Sequence, residues 1–308
     1  MQRSIQNFKF HCEFEKGLST STLKAYKIDL EQFSSFIIKE YGNLSIDQIS
    51  KHQIKAFIQN ISTQKAKTTK RKMATLKAMF NFLEFEEEIE INPFRKIRIN
   101  IKEPQSLPVV LTLDEVETIL RLVYKRMNEI EKTDTMLYKQ TVRDVAIIEL
   151  LFATGIRVSE LSNLKIINVC IDFSHIIVNG KGNKQRIIGI SNSETKNILK
   201  KYYYLFQTHI YKTGFFFINR LGKRLSEQSV RFTIKKYSSE LNFSKNVTPH
   251  VFRHTFATLL LEEDVDIRYI QSLLGHSSIN VTQIYTHVSS KKQKDIILNK
   301  HPRKYINI

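Results

Sequence analysis

The chain has little of what would direct it to an oxidising compartment or to a membrane. Its 308 residues contain two cysteines, Cys12 and Cys170, which lie far apart and form no Cys-x-x-Cys pair. This scarcity excludes a disulfide framework and a thiolate zinc site. The opening stretch MQRSIQNFKFHCEFEK lacks the apolar run of a signal peptide, and the most apolar helical stretch, VAIIELLFATGI, is too short to cross a bilayer. We therefore expect a soluble, cytoplasmic protein that does not span a membrane.

Catalytic patterns that depend on metals or nucleotides are also missing. No cluster of Asp and Glu indicates a two-metal nuclease, and no GxxxxGKS or GxxxxGKT motif indicates an ATP site. The sequence shows neither an internal repeat nor a low-complexity tract. We expect any chemistry in this chain to proceed without a metal or another cofactor.

What the chain has in excess is positive charge. It carries 48 Lys and Arg against 30 Asp and Glu, a formal net charge of +18. Such a surplus favours a polyanionic partner, namely DNA, RNA or an acidic membrane surface. Because Lys, Ile and Asn are all abundant, the base composition of an AT-rich genome is an alternative explanation. The charge alone does not decide between the two.

The first part of the sequence predicts a small helical domain over residues 1–92. Apolar residues recur at helical spacing over residues 19–39, again from residue 54 to 61, and a third time from about 67 to 87. We predict that Asn92-Pro93 ends the third helix. The stretch KAKTTKRK at the start of that helix is either a solvated helix end or a contact with the DNA backbone. Its candidate contact residues are Lys67, Lys70, Arg71 and Lys72.

The second domain is predicted to span residues 109–308, after a proline-rich and basic linker over residues 93–108. Thr112-Leu-Asp-Glu115 predicts a capping box that opens its first helix. HIIVNG and QRIIGI, separated by the turn KGNK, predict a β-hairpin. Further helices are predicted at about 194–210, 226–241, 249–262, 266–274 and 279–289. The polar segment 125–140 is predicted to be a surface extension between helices.

Several residues of the second domain could take part in chemistry, although each alone has an ordinary structural explanation. Tyr285 is one of 12 tyrosines, and its phenol, with an ordinary pKa of about 10, needs help to lose a proton at neutral pH. His250 and Arg253 share a helix face in TPHVFRHTF. Arg157 has Glu160 three residues further on, which is also the spacing of a simple salt bridge.

A lysine and a second histidine complete the candidate set. Lys181 lies in the hairpin turn, where a lysine is usually solvated, and His276 follows Gly275, which is predicted to end a helix. In combination, these side chains suit a phosphodiester. Arginines bind phosphate oxygens, histidines transfer protons, a lysine can protonate a leaving alkoxide, and a tyrosine can form a covalent phosphoester.

In their order along the chain these residues resemble the tyrosine recombinase, or phage integrase, family. The family order of Arg, Lys, His-x-x-Arg, His and Tyr is matched by ATGIRVSEL, GKGNKQR, TPHVFRHTFAT, LLGHSS and TQIYTHV. TLKAYKIDLEQFSSFI resembles the opening helix of the family's core-binding domain. The length and the short C-terminal tail are most similar to the Xer branch, although segment 125–140 looks longer than in compact members.

The resemblance implies a fold that is mainly α with a small β-hairpin. It is a two-domain DNA clamp, with a SAM-like helical core-binding domain and a catalytic domain. It also implies roles: Tyr285 attacks the scissile phosphate, Arg157 and Arg253 hold its oxygens, and Lys181 protonates the leaving 5′ oxygen. The remaining roles are acid–base catalysis by His250, a hydrogen bond to the phosphate from His276, and orientation of the site by Glu160.

The implied partner is double-stranded DNA with a specific recombination site, bound by a homotetramer on two duplexes. A second recombinase or an accessory protein in the assembly stays open, as does the choice between dimer resolution and mobile-element integration. The tail after Tyr285 either packs on a neighbouring subunit or closes the chain's own core. Two rival functions are a type IB topoisomerase-like relaxing activity and a catalytically silent, sequence-specific DNA-binding protein.

Overall fold

The chain forms two compact units, Met1–Ser106 and Leu107–Ile308, in a computed structural model. The structure describes residues 1–98, 101, 109–180, 185–275 and 296–306. Within these ranges it is mainly helical with one two-stranded antiparallel sheet, which confirms the predicted fold class. No helix in the described ranges combines the length and hydropathy that a membrane span requires.

The first unit is a helical bundle. Its helices are α1 (Gln2–Phe10), which continues as a π-helical turn (His11–Glu15), α2 (Thr20–Tyr41), α3 (Lys51–Asn60) and α4 (Ala66–Phe85). Phe33 lies at the centre, where its ring packs edge-on against Phe57 and Phe80 at 5.1 and 6.3 Å between centroids. The three periodic segments are thus confirmed as helices. Ser19 begins the first of them by accepting a hydrogen bond from the Thr22 amide.

Sequence reasoning missed α1. Of its apolar side chains and those of the π-helical turn, Phe8 and Cys12 are buried, whereas Phe10 and Phe14 are exposed. The stretch therefore lacks a clear apolar periodicity, and its helical conformation depends on packing against the rest of the bundle.

The predicted end of α4 at Asn92-Pro93 is wrong. The helix ends at Phe85, and Glu87 adopts a left-handed φ of 58°. Asn92 instead begins a 3-10 turn, Pro93–Lys96, by accepting a hydrogen bond from the Phe94 amide at 2.9 Å. Asn is a strong helix-capping residue and Pro suits a first turn, so the pair starts a new element here. Phe94 is buried in the core of the first unit.

The second unit is built around α6, which is buried on almost every side. Its elements are α5 (Leu113–Asn128), α6 (Met136–Thr154), α7 (Val158–Ser162), β1 (His175–Asn179), β2 (Gln185–Gly189), α8 (Ser193–Thr213), α9 (Glu227–Glu240), α10 (Pro249–Glu262) and α11 (Ile267–Leu274). The hairpin is confirmed, with Val178 paired to Arg186. The capping box is confirmed as well, because Thr112 and Glu115 exchange hydrogen bonds of 2.8 and 3.2 Å. The helix predicted at 279–289 lies outside the described residues.

The segment 125–140 is mostly helical, which corrects its prediction as a surface extension. The helix α5 continues to Asn128, and α6 begins at Met136, so only residues 129–135 connect the two. This connection is polar and mostly exposed, so the predicted extension is confirmed only for residues 129–135. Thr135 begins α6 by accepting a hydrogen bond from the Tyr138 amide at 3.2 Å.

The described part of the C-terminal tail, residues 296–306, packs on its own unit. Ile297 is buried in a cluster with Phe256 and Leu260. Arg303 is fully buried and forms ion pairs with Glu149 and Glu194. Of the two placements that the sequence leaves open, this structure has the tail closing the chain's own core.

Candidate active site

A tight turn after α6 places Arg157. The helix ends in Gly155, whose φ of 59° is left-handed. A Cβ on this glycine would lie 2.6 Å from the Phe256 ring, so another residue would clash as well as strain the backbone. Two residues later, Arg157 is the N-cap of the short helix α7.

Arg157 and Glu160 are joined twice. The Arg157 backbone N–H donates to Glu160 Oε2 at 2.7 Å, and its Nη1 donates to Oε1 at 2.8 Å. The Glu160 side chain is only 5% exposed. The salt bridge anticipated from their spacing is therefore present, and it fixes the direction of the Arg157 guanidinium.

Arg253 lies on α10, which begins as predicted with Thr248 as N-cap and Pro249 in the first turn. Its side chain is buried, with Nη1 donating to the Gly155 carbonyl at 2.8 Å and Nη2 to the Leu274 carbonyl at 2.6 Å. Burial, followed by repulsion from Arg157, lowers the pKa of Arg253 to about 10. The group therefore remains a cation at neutral pH.

The two arginines meet at the C-terminal end of α11. Arg157 Nη2 donates to the Gly275 carbonyl at 2.9 Å, next to the Leu274 carbonyl that Arg253 contacts. Gly275 ends α11 in the left-handed conformation, as predicted. The last carbonyls of a helix carry partial negative charge and lack helical donors, which makes them natural acceptors for guanidinium groups. The arrangement holds two cations side by side, and no carboxylate of the described residues pairs with Arg253.

Two histidines on α10 are exposed, one turn apart. His250 precedes Arg253 by three residues on the same helix, as predicted, and His254 follows directly. Partial burial of the His254 ring, followed by the nearby His250 and Arg253, lowers the pKa of His254. Sequence reasoning did not consider His254, although its spacing of four from His250 places it on the same face.

Arg186 is the other residue that sequence reasoning missed. It lies on β2 and donates to both oxygens of Glu160, at 2.9 and 2.8 Å. The alternation of the strand could have revealed it. Arg186 and the buried Ile188 are two residues apart and therefore point to the same side of the hairpin.

Three predicted site residues lie outside the described ranges: Lys181, His276 and Tyr285. The structure thus brings together Arg157, Glu160 and Arg253, and it places His250 on the same helix as Arg253.

The basic start of α4 is divided between exposed and buried side chains. Lys67 and Lys70 are exposed. Arg71 is partly exposed and binds Asp29, a fully buried carboxylate that also accepts from Thr75 at 2.9 Å. Lys72 is only 4% exposed and lines a groove of about 450 Å³ between α2, α3 and α4. Its burial does not favour a direct contact with DNA.

Sequence and structure comparisons relate the whole chain to known proteins. The profile of the phage integrase family matches residues 95–292, and that of the phage integrase N-terminal SAM-like domain matches residues 5–87. A tyrosine recombinase of Agathobacter rectalis is 47% identical over 99% of this chain and 98% of its own length. Tyrosine recombinase XerC of Thermodesulfovibrio yellowstonii is 38% identical over 97% and 96%. A crystal structure of a lambda integrase tetramer bound to a Holliday junction shares the fold, with a TM-score of 0.67 and 19% identity over 91% of this chain and 78% of that one.

Proposed function

We infer, because the chain belongs to the phage integrase family, that it is a site-specific DNA recombinase. It cuts and rejoins DNA strands through a 3′-phosphotyrosyl intermediate, and two rounds of exchange pass through a Holliday junction. The likeness to proteins named XerC and XerD favours the Xer branch. Work on DNA inside the cell makes the cytoplasm its proposed location.

The observation that carries this function is the pair of guanidiniums at the end of α11. Arg157 and Arg253 come from different helices, yet they donate to adjacent carbonyl oxygens. Forked donors held next to each other suit the non-bridging oxygens of a phosphodiester. They also stabilise the negative charge that grows on those oxygens in the transition state.

We assign the covalent step to Tyr285. Its phenol oxygen attacks the scissile phosphorus, so that a bond from phosphorus to the tyrosine forms while the bond from phosphorus to the 5′ oxygen breaks. His250 accepts the phenol proton, and Lys181 donates a proton to the leaving 5′ oxygen. His276 donates a hydrogen bond to the phosphate. The 5′-hydroxyl of a partner strand then attacks the phosphotyrosine. A bond from phosphorus to this 5′ oxygen forms, the bond to Tyr285 breaks, and the phenol regains its proton.

The two units have separate proposed tasks. Residues 1–92 form the core-binding domain and residues 109–308 the catalytic domain, which are joined by the basic segment 93–108. Lys67, Lys70 and Arg71 contact the DNA backbone from the start of α4. The active assembly is a homotetramer on two duplexes, with a second recombinase or an accessory protein as the alternative composition. The lambda integrase tetramer bound to a Holliday junction supports four subunits.

Covalent capture tests this function directly. Wild type and Tyr285→Phe are incubated with nicked duplex fragments from the genome around the protein's own gene, and DNA that stays with the protein through denaturant is sequenced. We expect an adduct with wild type alone. An adduct with Tyr285→Phe would refute the assignment of the nucleophile. Tight binding to one mapped site, without any adduct, would instead support a catalytically silent DNA-binding protein.

A further inference from the structure

Arg186 connects the hairpin with two other parts of the second unit. From β2, its Nε donates to the Leu273 carbonyl at 2.8 Å. Its two terminal nitrogens donate to the two oxygens of Glu160. All three nitrogens of the guanidinium are therefore occupied by protein acceptors, and the side chain is only 11% exposed. Two of its five N–H groups remain, but the paired Glu160 carboxylate neutralises its charge, whereas the described bonds of Arg253 go to neutral carbonyls.

Arg186 fixes the carboxylate that orients Arg157. Each oxygen of Glu160 accepts one bond from Arg186 and one from Arg157. Four charge-assisted or backbone hydrogen bonds leave this carboxylate little freedom to rotate. Burial by itself raises the pKa of Glu160, but the hydrogen bonds and charge of Arg186, and then those of Arg157, outweigh it and lower the pKa below its ordinary value. Glu160 is thus an anion at neutral pH.

The end of α11 is held by the same group. Arg186, Arg253 and Arg157 donate in that order to the three consecutive carbonyl oxygens of residues 273–275, at 2.8, 2.6 and 2.9 Å. A Cβ on Gly275 would lie 2.9 Å from Arg186 Nη1, so another residue at this left-handed position would displace the guanidinium. The end of α11 therefore accepts hydrogen bonds from this third arginine as well as from the two at the phosphate site.

We propose that Arg186 is a positioning residue for strand cleavage. It holds the Glu160 carboxylate and, through the Leu273 carbonyl, the end of α11, and these two groups in turn hold the Arg157 guanidinium. Arg186 itself touches no substrate. The proposal rests on the recombinase function and on the phosphate-binding role of Arg157 given above. It predicts that loss of Arg186 harms the reaction chiefly through the placement of a cation beside the phosphate.

A methylphosphonate at the scissile position distinguishes this effect from a general loss of structure. Its methyl group replaces a charged non-bridging oxygen, so the reacting group is neutral and depends less on nearby cations. A defect caused by a misplaced Arg157 therefore shrinks on this substrate. A smaller fraction of folded protein, in contrast, slows the cleavage of both substrates by the same factor.

The experiment measures single-turnover cleavage of phosphodiester and methylphosphonate forms of the captured site by Arg186→Met, Arg186→Lys and Arg157→Ala. Arg143→Met is the matched control, because the Arg143 side chain is also 11% exposed and bonded to an acidic partner, Asp144. We expect Arg186→Met to be slowed about 100-fold on the phosphodiester but no more than about threefold on the methylphosphonate. Arg186→Lys should lie between wild type and Arg186→Met, since an ammonium cannot form the fork.

Equal slowing of Arg186→Met on both substrates, as expected for Arg143→Met, would overturn the proposal and leave Arg186 a purely structural role. The proposal is supported if the ratio of the two cleavage rates, phosphodiester to methylphosphonate, falls in Arg186→Met as it falls in Arg157→Ala. Because both substrates are offered to the same preparation, this ratio does not depend on how much of the variant is folded.

Hydrogen exchange in the free protein provides a readout that needs no DNA. Arg186→Met should speed exchange of the backbone amides in residues 157–161 and 270–275, and Arg143→Met should leave them unchanged. Unchanged exchange in both segments of Arg186→Met would show that Arg186 does not hold Glu160 and the end of α11 in place. If wild type cleaves neither substrate, the recombinase function is refuted, and the catalytic part of the proposal with it. Hydrogen exchange still reports whether Arg186 holds Glu160 and the end of α11 in place.

Discussion

At the scale of single residues, the second unit orients its arginines with backbone carbonyls as well as with carboxylates. Arg253 is buried and bonded to two carbonyls, and none of its partners in the described part of the chain is a carboxylate. A neutral acceptor orients the guanidinium but does not cancel its charge, whereas an ion pair would. Charge that is already oriented before the reaction is the most effective kind for stabilising a transition state.

Loss of either arginine should therefore nearly stop strand cleavage. We expect Arg157→Ala and Arg253→Ala each to slow single-turnover adduct formation by about 100- to 1,000-fold, since each removes a preorganised donor. Arg231→Ala is the control, because Arg231 is exposed and pairs with Glu227 one turn away on α9. Near-normal cleavage by Arg157→Ala or Arg253→Ala would show that the wrong arginine is assigned.

At the scale of elements, the segment 296–306 is secured by a buried polar cluster. Arg303 Nη2 donates to Glu149 Oε1 at 2.8 Å, and both side chains are fully buried. Tyr124 and Thr195 donate to the same carboxylate at 3.0 and 2.9 Å. Three side chains from different parts of the second unit thus converge on one buried carboxylate, and Arg303 is the cation among them.

Removal of Arg303 should cost far more than removal of a surface arginine. We expect Arg303→Met to lower the free energy of unfolding by about 3–5 kcal/mol, because Glu149 is left buried without its cation. Arg121→Met, which breaks an exposed pair with Glu117, should cost less than about 1 kcal/mol. Urea unfolding of both variants measures the difference, and equal costs would contradict the buried position of the tail.

The same segment should make stability depend on pH. His301 Nε2 donates to the Phe152 carbonyl at 3.2 Å, Nδ1 accepts from the Arg303 amide, and burial lowers the His301 pKa to about 4. Its contribution is fully present above the unfolded pKa of about 6.5 and is lost as the pH falls towards 4, because the unfolded chain binds a proton that the folded chain does not.

We expect wild type to lose about 3 kcal/mol more stability than His301→Asn between pH 7 and pH 4, from the shift of the His301 pKa. The asparagine keeps a side-chain acceptor for the Arg303 amide but does not titrate. Urea unfolding at several pH values gives the two curves. Parallel curves for the two proteins would mean that His301 is not buried as a neutral group.

At the scale of the whole molecule, we expect the net charge of +18 to supply much of the affinity for DNA. Neutralised phosphates release counterions, so binding should weaken steeply as salt is added. The basic start of α4 contributes unequally to this effect. Lys67 is exposed, whereas Lys72 lies among the buried side chains of the first unit.

Salt dependence distinguishes these two lysines. We expect Lys67→Ala to reduce the slope of log affinity against log salt by about one, as the loss of one phosphate contact does, and Lys72→Met to leave the slope unchanged. Lys125→Ala, which removes an exposed charge on α5, controls for net charge alone. A reduced slope for Lys72→Met would show that this lysine reaches DNA after all.

Elements whose signals are local could be predicted from the sequence by itself. Ser19, Thr112 with Glu115, and Thr248 with Pro249 mark helix starts within four residues, and Gly275 marks a helix end. The order of Arg, Lys, His-x-x-Arg, His and Tyr along the chain is by itself enough to indicate the family. These signals suffice because capping and strand alternation involve residues that are close in the chain.

Tertiary structure decided which acceptor each cation binds. Arg303 and Glu149 are 154 residues apart, Arg157 and Gly275 are 118 apart, and Arg186 reaches Leu273 across 87. The burial of Lys72 and the helix α1 likewise depend on packing against other elements. Contacts between distant residues leave no periodic pattern in the sequence. An arginine can be solvated on a surface or bonded in a buried site, and only the fold determines which carbonyl or carboxylate lies opposite it.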